Sequence, residues 1–252
     1  MTIPLGMHYD TLVDKPCIVE DEQGVPVVGY FDLEGDAGKL LAAVQALQYG
    51  YADRSSGMMS QSKVLGYQPR IGMRRDYCHT AVMSRENPAE HDLLLEWAAR
   101  VTKVYAATCP ERFQKQMAQL DKVRPEWRIP NSAFTSGIVN KDNNLLYHYD
   151  AGNFSDVWSC MIVLQRDMHG GHLVVPRYGM AFAFPRPALI MFDGMRLLHG
   201  VFPMVAKSKL SYRYSIVYYA LRQMCNCLSP QKEIERIRVL KTERELKRSK
   251  KE

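Results

Sequence analysis

No run of eighteen apolar residues occurs in the 252-residue chain, so no membrane-spanning helix is expected. The first residues, MTIPLGMHYDTLVDK, lack a basic start followed by an apolar stretch, which argues against a secretory signal. No Cys-x-x-Cys pair is present. The 6 cysteines, Cys17, Cys78, Cys109, Cys160, Cys225 and Cys227, are scattered, and without a signal segment a disulfide framework is not expected. Cys225 and Cys227 are spaced to touch one metal ion, but two reduced thiols is the plainer reading. These absences point to a reducing compartment, cytoplasmic or nuclear, and to no membrane partner. Internal repeats and low-complexity tracts are also missing.

Charge is present but uneven. The net charge is +6, and from Ser229 onward nine Lys/Arg against five Asp/Glu give the tail +4, leaving +2 for the rest. A mildly basic body with a basic tail permits nucleic acid as a partner without requiring it.

The hydrophobic period changes along the chain. KPCIVE and GVPVVGYFDL read as strands joined by a turn at Asp-Glu-Gln-Gly. Asp36 to Tyr51 reads as a helix, Asn87-Pro88 opens a longer one, and Glu111 to Leu120 is a third. Arg54 to Arg75 is rich in Gly, Ser and Arg and reads as loop. After Pro130 the pattern alternates. Strands are expected at 134–140, 145–150, 157–164, 171–175, 180–184, 188–192 and 210–221. That spacing suggests a sandwich or barrel. The layout is α+β: residues 1–130 as mainly helical and loop support, 131–228 as the β core of one domain spanning 1–228, and 229–252 as a basic helical tail. Ser229-Pro230 is the start signal of that helix, and the final KRSKKE is expected to be disordered.

His-Tyr-Asp occurs twice, at 8–10 and 148–150. The first copy sits near a chain end, outside any clear strand. The second closes NNLLYHYD in the alternating half. On a strand, His148 and Asp150 would share a face. A third ligand is available at His199, forty-nine residues beyond Asp150, after the apolar strand ALIMF. Two His and one carboxylate make the facial triad of non-haem Fe(II) oxygenases, with open positions for co-substrate and O2. Fourteen residues further, Arg213 and Ser215 share a face of LSYRYSIVYYAL. A guanidinium with a hydroxyl beside it suits the distal carboxylate of 2-oxoglutarate, and a buried Arg in so apolar a strand needs an anionic partner. The competing reading is of satisfied core histidines with an internal ion pair.

These residues resemble the Fe(II)/2-oxoglutarate-dependent dioxygenases, and among them the TET/J-binding-protein group, which oxidises 5-methylpyrimidines in nucleic acid. The likeness rests on FTSGIVNKDNNLLYHYDAGN and GGHLVVPRYGMAFAFPRPALIMFDGMRLLHG, with LGYQPRIGMRRDYC upstream, and covers about Phe134 to Leu221. It implies a double-stranded β-helix core of jelly-roll or cupin type, supported by N-terminal helices. It implies Fe(II) on His148, Asp150 and His199, with 2-oxoglutarate on Arg213, Ser215 and Asn140, and O2 as oxidant. Arg70, Arg74 and Arg75 would face nucleic acid, and His169 or His172 would line the pocket. DNA with a flipped methylated base is the implied partner. The implied reaction is 5-methylcytosine to 5-hydroxymethylcytosine, with thymine hydroxylation to 5-hydroxymethyluracil or protein prolyl hydroxylation as alternatives. A β-helix binding module without metal is the non-enzymatic alternative. The chain lacks the cysteine-rich zinc-binding region and the long insert of animal TET proteins.

Overall fold

Strands from both halves of the chain build two facing sheets, in a computed structural model that describes residues 7–53, 59–70 and 76–249. In chain order the elements begin with β1 (Thr11–Val13), β2 (Cys17–Glu20), β3 (Pro26–Asp32), α1 (Ala37–Ala46), β4 (Gly50–Asp53), β5 (Met59–Gln68) and β6 (His79–Thr80). Helices α2 (Met83–Glu86), α3 (Pro88–Thr108) and α4 (Pro110–Leu120) follow. The β core comprises β7 (Ser136–Lys141), β8 (Ser159–Arg166), β9 (Met168–His169), β10 (Leu173–Val175), β11 (Met180–Phe182), β12 (Ala188–Phe192), β13 (Gly200–Val201), β14 (Val205–Ala206) and β15 (Tyr212–Tyr219). Helix α5 (Pro230–Ser249) closes the described chain.

The larger sheet runs β2-β3-β12-β8-β15-β7-β5-β4, with β6 on β5; the smaller runs β1-β11-β10-β13. All pairings in both are antiparallel except β1 with β11. This is the expected jelly-roll core. Period two sorts its side chains into two layers. Ile162 and Leu164 on β8, Leu189 and Met191 on β12, and Tyr214, Ile216 and Tyr218 on β15 face the helices, where they meet Leu40, Trp97, Val101 and Tyr105. Val163, Ile190 and Phe192 face the smaller sheet, against Leu173, Val175 and Phe182. Burying each such side chain is worth about 1.5–3 kcal/mol.

Local signals explain the supports. Asp36 caps α1 by accepting from the Lys39 N–H at 2.9 Å. Pro88 and Pro110 occupy the first turns of α3 and α4, where a missing N–H costs nothing. The β2–β3 turn is held by Asp21 Oδ1, which accepts from the N–H groups of Gln23 and Val25.

Three expectations need correction. The stretch from 54 to 75 is not all loop: β5 occupies ten residues of it and pairs with both β4 and β7. The N-terminal half therefore supplies sheet as well as helices. Residues 145–150 are not a strand; a single antiparallel bridge joins His148 to His199. Finally, Cys78 and Cys227 form a disulfide across 149 residues, while Cys225 is free. Scattered spacing concealed this pair because folding, not sequence proximity, brings the two together. The disulfide also removes both readings of Cys225 and Cys227, as a shared metal site and as two reduced thiols.

That disulfide enters the junction with α5. Glu233, 2% exposed, accepts from Arg70 and from the main-chain N–H groups of Cys78 and Leu228. Asp76 accepts from Arg236 and Arg244 further along the helix. The helix continues through Lys247, Arg248 and Ser249, part of the segment expected to be disordered. Among the described residues no helix is long and apolar enough to cross a membrane.

Candidate metal centre and co-substrate pocket

The three expected ligands converge. One ligand atom from each of His148, Asp150 and His199 lies within 4.8 Å of the others, the spacing of donors around a single ion. His148 Nε2 is 3.8 Å from Asp150 Oδ1, and His199 Nε2 is 4.0 Å from Asp150 Oδ2. The reason for the convergence differs from the expected one. His148 and His199 exchange main-chain hydrogen bonds at 2.9 and 3.2 Å, which sets their imidazoles side by side. Asp150 is held separately: its N–H donates to the Gly194 carbonyl at 2.8 Å.

Each histidine Nδ1 faces a carbonyl two residues before it, Leu146 at 2.8 Å and Leu197 at 2.9 Å. A proton on Nδ1 satisfies both contacts and leaves the Nε2 lone pairs for a metal. Burial holds the His199 imidazole below its ordinary pKa, and the Asp150 carboxylate opposes that shift. A neutral imidazole is the form that ligates.

A cavity of about 430 Å³ opens beside the triad, within the usual range of small-molecule sites. Arg213, Ser215 and Val217 of β15 line it by period two, with Asn140 and Ile138 from the neighbouring β7. Arg213 is only 2% exposed. Its Nε donates to the Gly171 carbonyl at 3.0 Å, but its Nη2 is buried with no hydrogen-bond partner among the described residues. Burial pushes its pKa down to about 10, with Asp142 opposing, so the group remains cationic at neutral pH. A buried cation with an unused donor is costly unless an anion completes it. The set of two imidazoles, a carboxylate and this guanidinium fits Fe(II) with 2-oxoglutarate.

Asn140 and Ser215 are cross-strand neighbours, joined at 3.2 Å from Nδ2 to Oγ. Ser62 and Asn143 donate to Asn140 Oδ1. The polar floor is therefore built partly by β5, the unexpected strand. Arg70 is engaged with Glu233 and holds the tail helix instead of standing free toward solvent. Arg54, Arg74 and Arg75 lie outside the described residues. His172 does not line the cavity. It packs on Tyr9 and Phe202, and burial followed by the charge of Arg213 lowers its pKa. His169 is exposed on the small β9–β14 ribbon.

Sequence reasoning missed Gly194 and Asn153. A Cβ on Gly194 would lie 2.4 Å from Asp150 Oδ2, so only glycine permits the carboxylate there. Asn153 donates to Ser159 Oγ at 3.0 Å and approaches Asp150 Oδ2 at 3.5 Å, supporting the ligand from below. The Asp-Gly pair directly after an apolar strand was the available signal for Gly194.

Comparisons with known proteins agree with this geometry. Over 166 residues, 65% of this chain, the sequence is 25% identical to thymine dioxygenase JBP1 of Trypanosoma brucei brucei. The match spans 19% of that relative's length. The fold is similar to NgTET1, solved in complex with 5mC DNA, with a TM-score of 0.63, 13% identity, and coverage of 92% of this chain and 88% of that one. It is also similar to a 2OG-Fe(II) oxygenase family oxidoreductase from Burkholderia pseudomallei, with a TM-score of 0.50, 16% identity, and coverage of 77% and 85%. The profile of the Tet_JBP family, the oxygenase domain of the 2OGFeDO superfamily, matches residues 65–222 and so encloses every ligand position described above. On that match, which takes in more than half of the chain, the protein belongs to the TET/JBP family of 2-oxoglutarate- and iron-dependent oxygenases.

Proposed function

We propose that this chain hydroxylates the methyl group of a 5-methylpyrimidine in DNA, with 5-methylcytosine as the first reading. The observation that carries the chemistry is the convergence of His148, Asp150 and His199 beside a cavity floored by the unpaired Nη2 of Arg213. Residues 1–228 are read as the oxygenase unit and 229–252 as an appended basic helix.

When bound, iron(II) with 2-oxoglutarate and O2 supplies the oxidation: one oxygen atom enters the substrate C–H bond and the other enters succinate, with release of CO2. The protein's part is placement. His148, Asp150 and His199 would hold the metal through two imidazoles and a carboxylate. Arg213 grips the distal carboxylate of the co-substrate, with Ser215 and Asn140 beside it. The apolar walls, Leu173, Phe192 and Val201, exclude water from the reacting atoms. A base within a duplex is out of reach of such a cavity, so the base must be flipped into it. Tyr149, between two ligands yet 53% exposed, stands at the rim where a base can stack.

Thymine hydroxylation is a second reading, favoured by the sequence match to a protein named thymine dioxygenase. Likeness of fold to NgTET1, solved in complex with 5mC DNA, favours the first reading. Membership of this family removes support from the prolyl hydroxylase alternative. The test is nucleoside mass spectrometry. The protein is incubated with Fe(II), 2-oxoglutarate and ascorbate on methylated and on unmodified DNA. 5-Hydroxymethylcytosine supports the first reading and 5-hydroxymethyluracil the second. Succinate release on DNA with neither product overturns both.

A further inference from the structure

We infer that Asp193 is a positioning residue for the metal centre: its carboxylate shapes the one turn against which two of the three ligands rest. The inference builds on the reading of His148, Asp150 and His199 as metal ligands. Asp193 follows β12, is 5% exposed, and does not line the cavity. Its Oδ1 accepts from the N–H groups of Met195 and Arg196 at 3.1 and 3.2 Å. Its main-chain carbonyl accepts from Arg196 and from Leu197 at 3.2 and 2.9 Å. Four hydrogen bonds therefore wind residues 193–197 into a single turn, with the side chain taking the Met195 N–H that the turn leaves open and sharing that of Arg196.

Two carbonyls of that turn serve the ligands. The Gly194 carbonyl takes the Asp150 N–H at 2.8 Å, and the Leu197 carbonyl faces His199 Nδ1 at 2.9 Å. The first fixes where the carboxylate stands. The second selects the His199 tautomer whose Nε2 faces the metal. Gly194 has no slack, since a Cβ there would already press on Asp150. If the cap is removed, the turn is free to relax, and both ligands lose their reference at once.

Oδ2 of Asp193 argues that this is more than a fold-stabilising cap. It is buried with no hydrogen-bond partner among the described residues. An unsatisfied carboxylate oxygen is a burden on stability that the charge of Arg112 opposes without a hydrogen bond, and its presence in the turn whose carbonyls meet Asp150 and His199 fits a residue kept for geometry.

The test is Mn(II) affinity of the full chain, read by electron paramagnetic resonance at a temperature where each variant is folded. Asp193→Ala is expected to weaken Mn(II) binding by roughly 10–100-fold, the usual effect of removing an outer partner of metal ligands. Asp193→Asn keeps the Oδ1 acceptor and should stay within about threefold of wild type, well short of the loss expected for Asp193→Ala. Asp36→Ala removes a comparable helix cap far from the site and should leave Mn(II) binding unchanged. Wild-type affinity in Asp193→Ala overturns the inference. So does equal weakening in Asp36→Ala, because metal binding would then merely follow stability. If Asp193→Ala does not fold, Asp193→Ser replaces it; an intermediate loss is expected, and wild-type affinity again overturns the inference. His199→Ala must lose Mn(II) binding in the same assay. If it does not, the ligand assignment itself has failed, a different outcome from failure of the positioning role.

Discussion

The same tripeptide, His-Tyr-Asp, stands at 8–10 and at 148–150, and the two copies are turned inside out relative to each other. At the first, His8 and Asp10 are exposed while Tyr9 packs edge-on against His172 and Phe202. At the second, Tyr149 is exposed, and His148 and Asp150 face the cavity. The first copy is held by its backbone: the Asp10 and Thr11 N–H groups both donate to the Gly179 carbonyl, which docks β1 beside β11. The second is held by His199 and Gly194, which bring a third ligand and a fixed carboxylate. A candidate metal site is thus set by the partners of the motif, and the tripeptide alone does not distinguish a sheet edge from a cluster of converging ligands.

Exchange of the decisive partner is the strongest way to break this comparison. His199→Ala should abolish Mn(II) binding and DNA oxidation, as read by resonance and by nucleoside mass spectrometry; retained turnover would dissolve the difference between the copies. Next in size, Arg213→Met should raise the 2-oxoglutarate concentration for half-maximal rate by roughly 10–100-fold, as expected from losing charge-assisted hydrogen bonds worth about 1.5–3 kcal/mol. Mn(II) affinity should be unaffected, since Arg213 is not among the ligands. The two tyrosines sharpen the contrast. Tyr149→Ala should raise KM for DNA by about tenfold, corresponding to one lost stacking contact, with the 2-oxoglutarate requirement unchanged. Tyr9→Ala should lower thermal stability through its lost ring contacts, worth about 0.5–1.5 kcal/mol, while KM for DNA stays at the wild-type value. The smallest effect belongs to the double variant His8→Ala, Asp10→Ala, expected within about twofold of wild-type rate, as for surface changes away from a site. A large loss of rate in a folded double variant would place function at the first copy.

Arg213 and Ser215 were legible because β15 is a true strand, and its period of two puts both on the cavity side, with Tyr214 and Ile216 on the helix side. His148 and Asp150 were found for a partly mistaken reason. Their segment carries one bridge and no strand, so their convergence comes from His199 and Gly194 instead of from pleating. Strand β5 escaped because it lies in a stretch rich in Gly, Ser and Arg, with only Val64, Leu65 and Tyr67 apolar near its end; its hydrogen bonds to β4 and β7 hold it in the sheet. Arg70 read as a free basic residue because its partner, Glu233, lies 163 positions away.

The order of residue types along the chain by itself determined a β core in the second half, the candidate ligand set and the strand that carries Arg213, because those follow from periodicity and from what each side chain can bind; the jelly-roll form of the core came from the family resemblance. Only the tertiary structure decided that His148 pairs with His199, that Cys78 meets Cys227, and that the turn after Asp193 takes the Asp150 N–H. The pairs His148–His199, Cys78–Cys227 and Asp150–Gly194 are all remote in sequence. Local pattern carries no information about such a contact until burial of the two sheets brings the partners together.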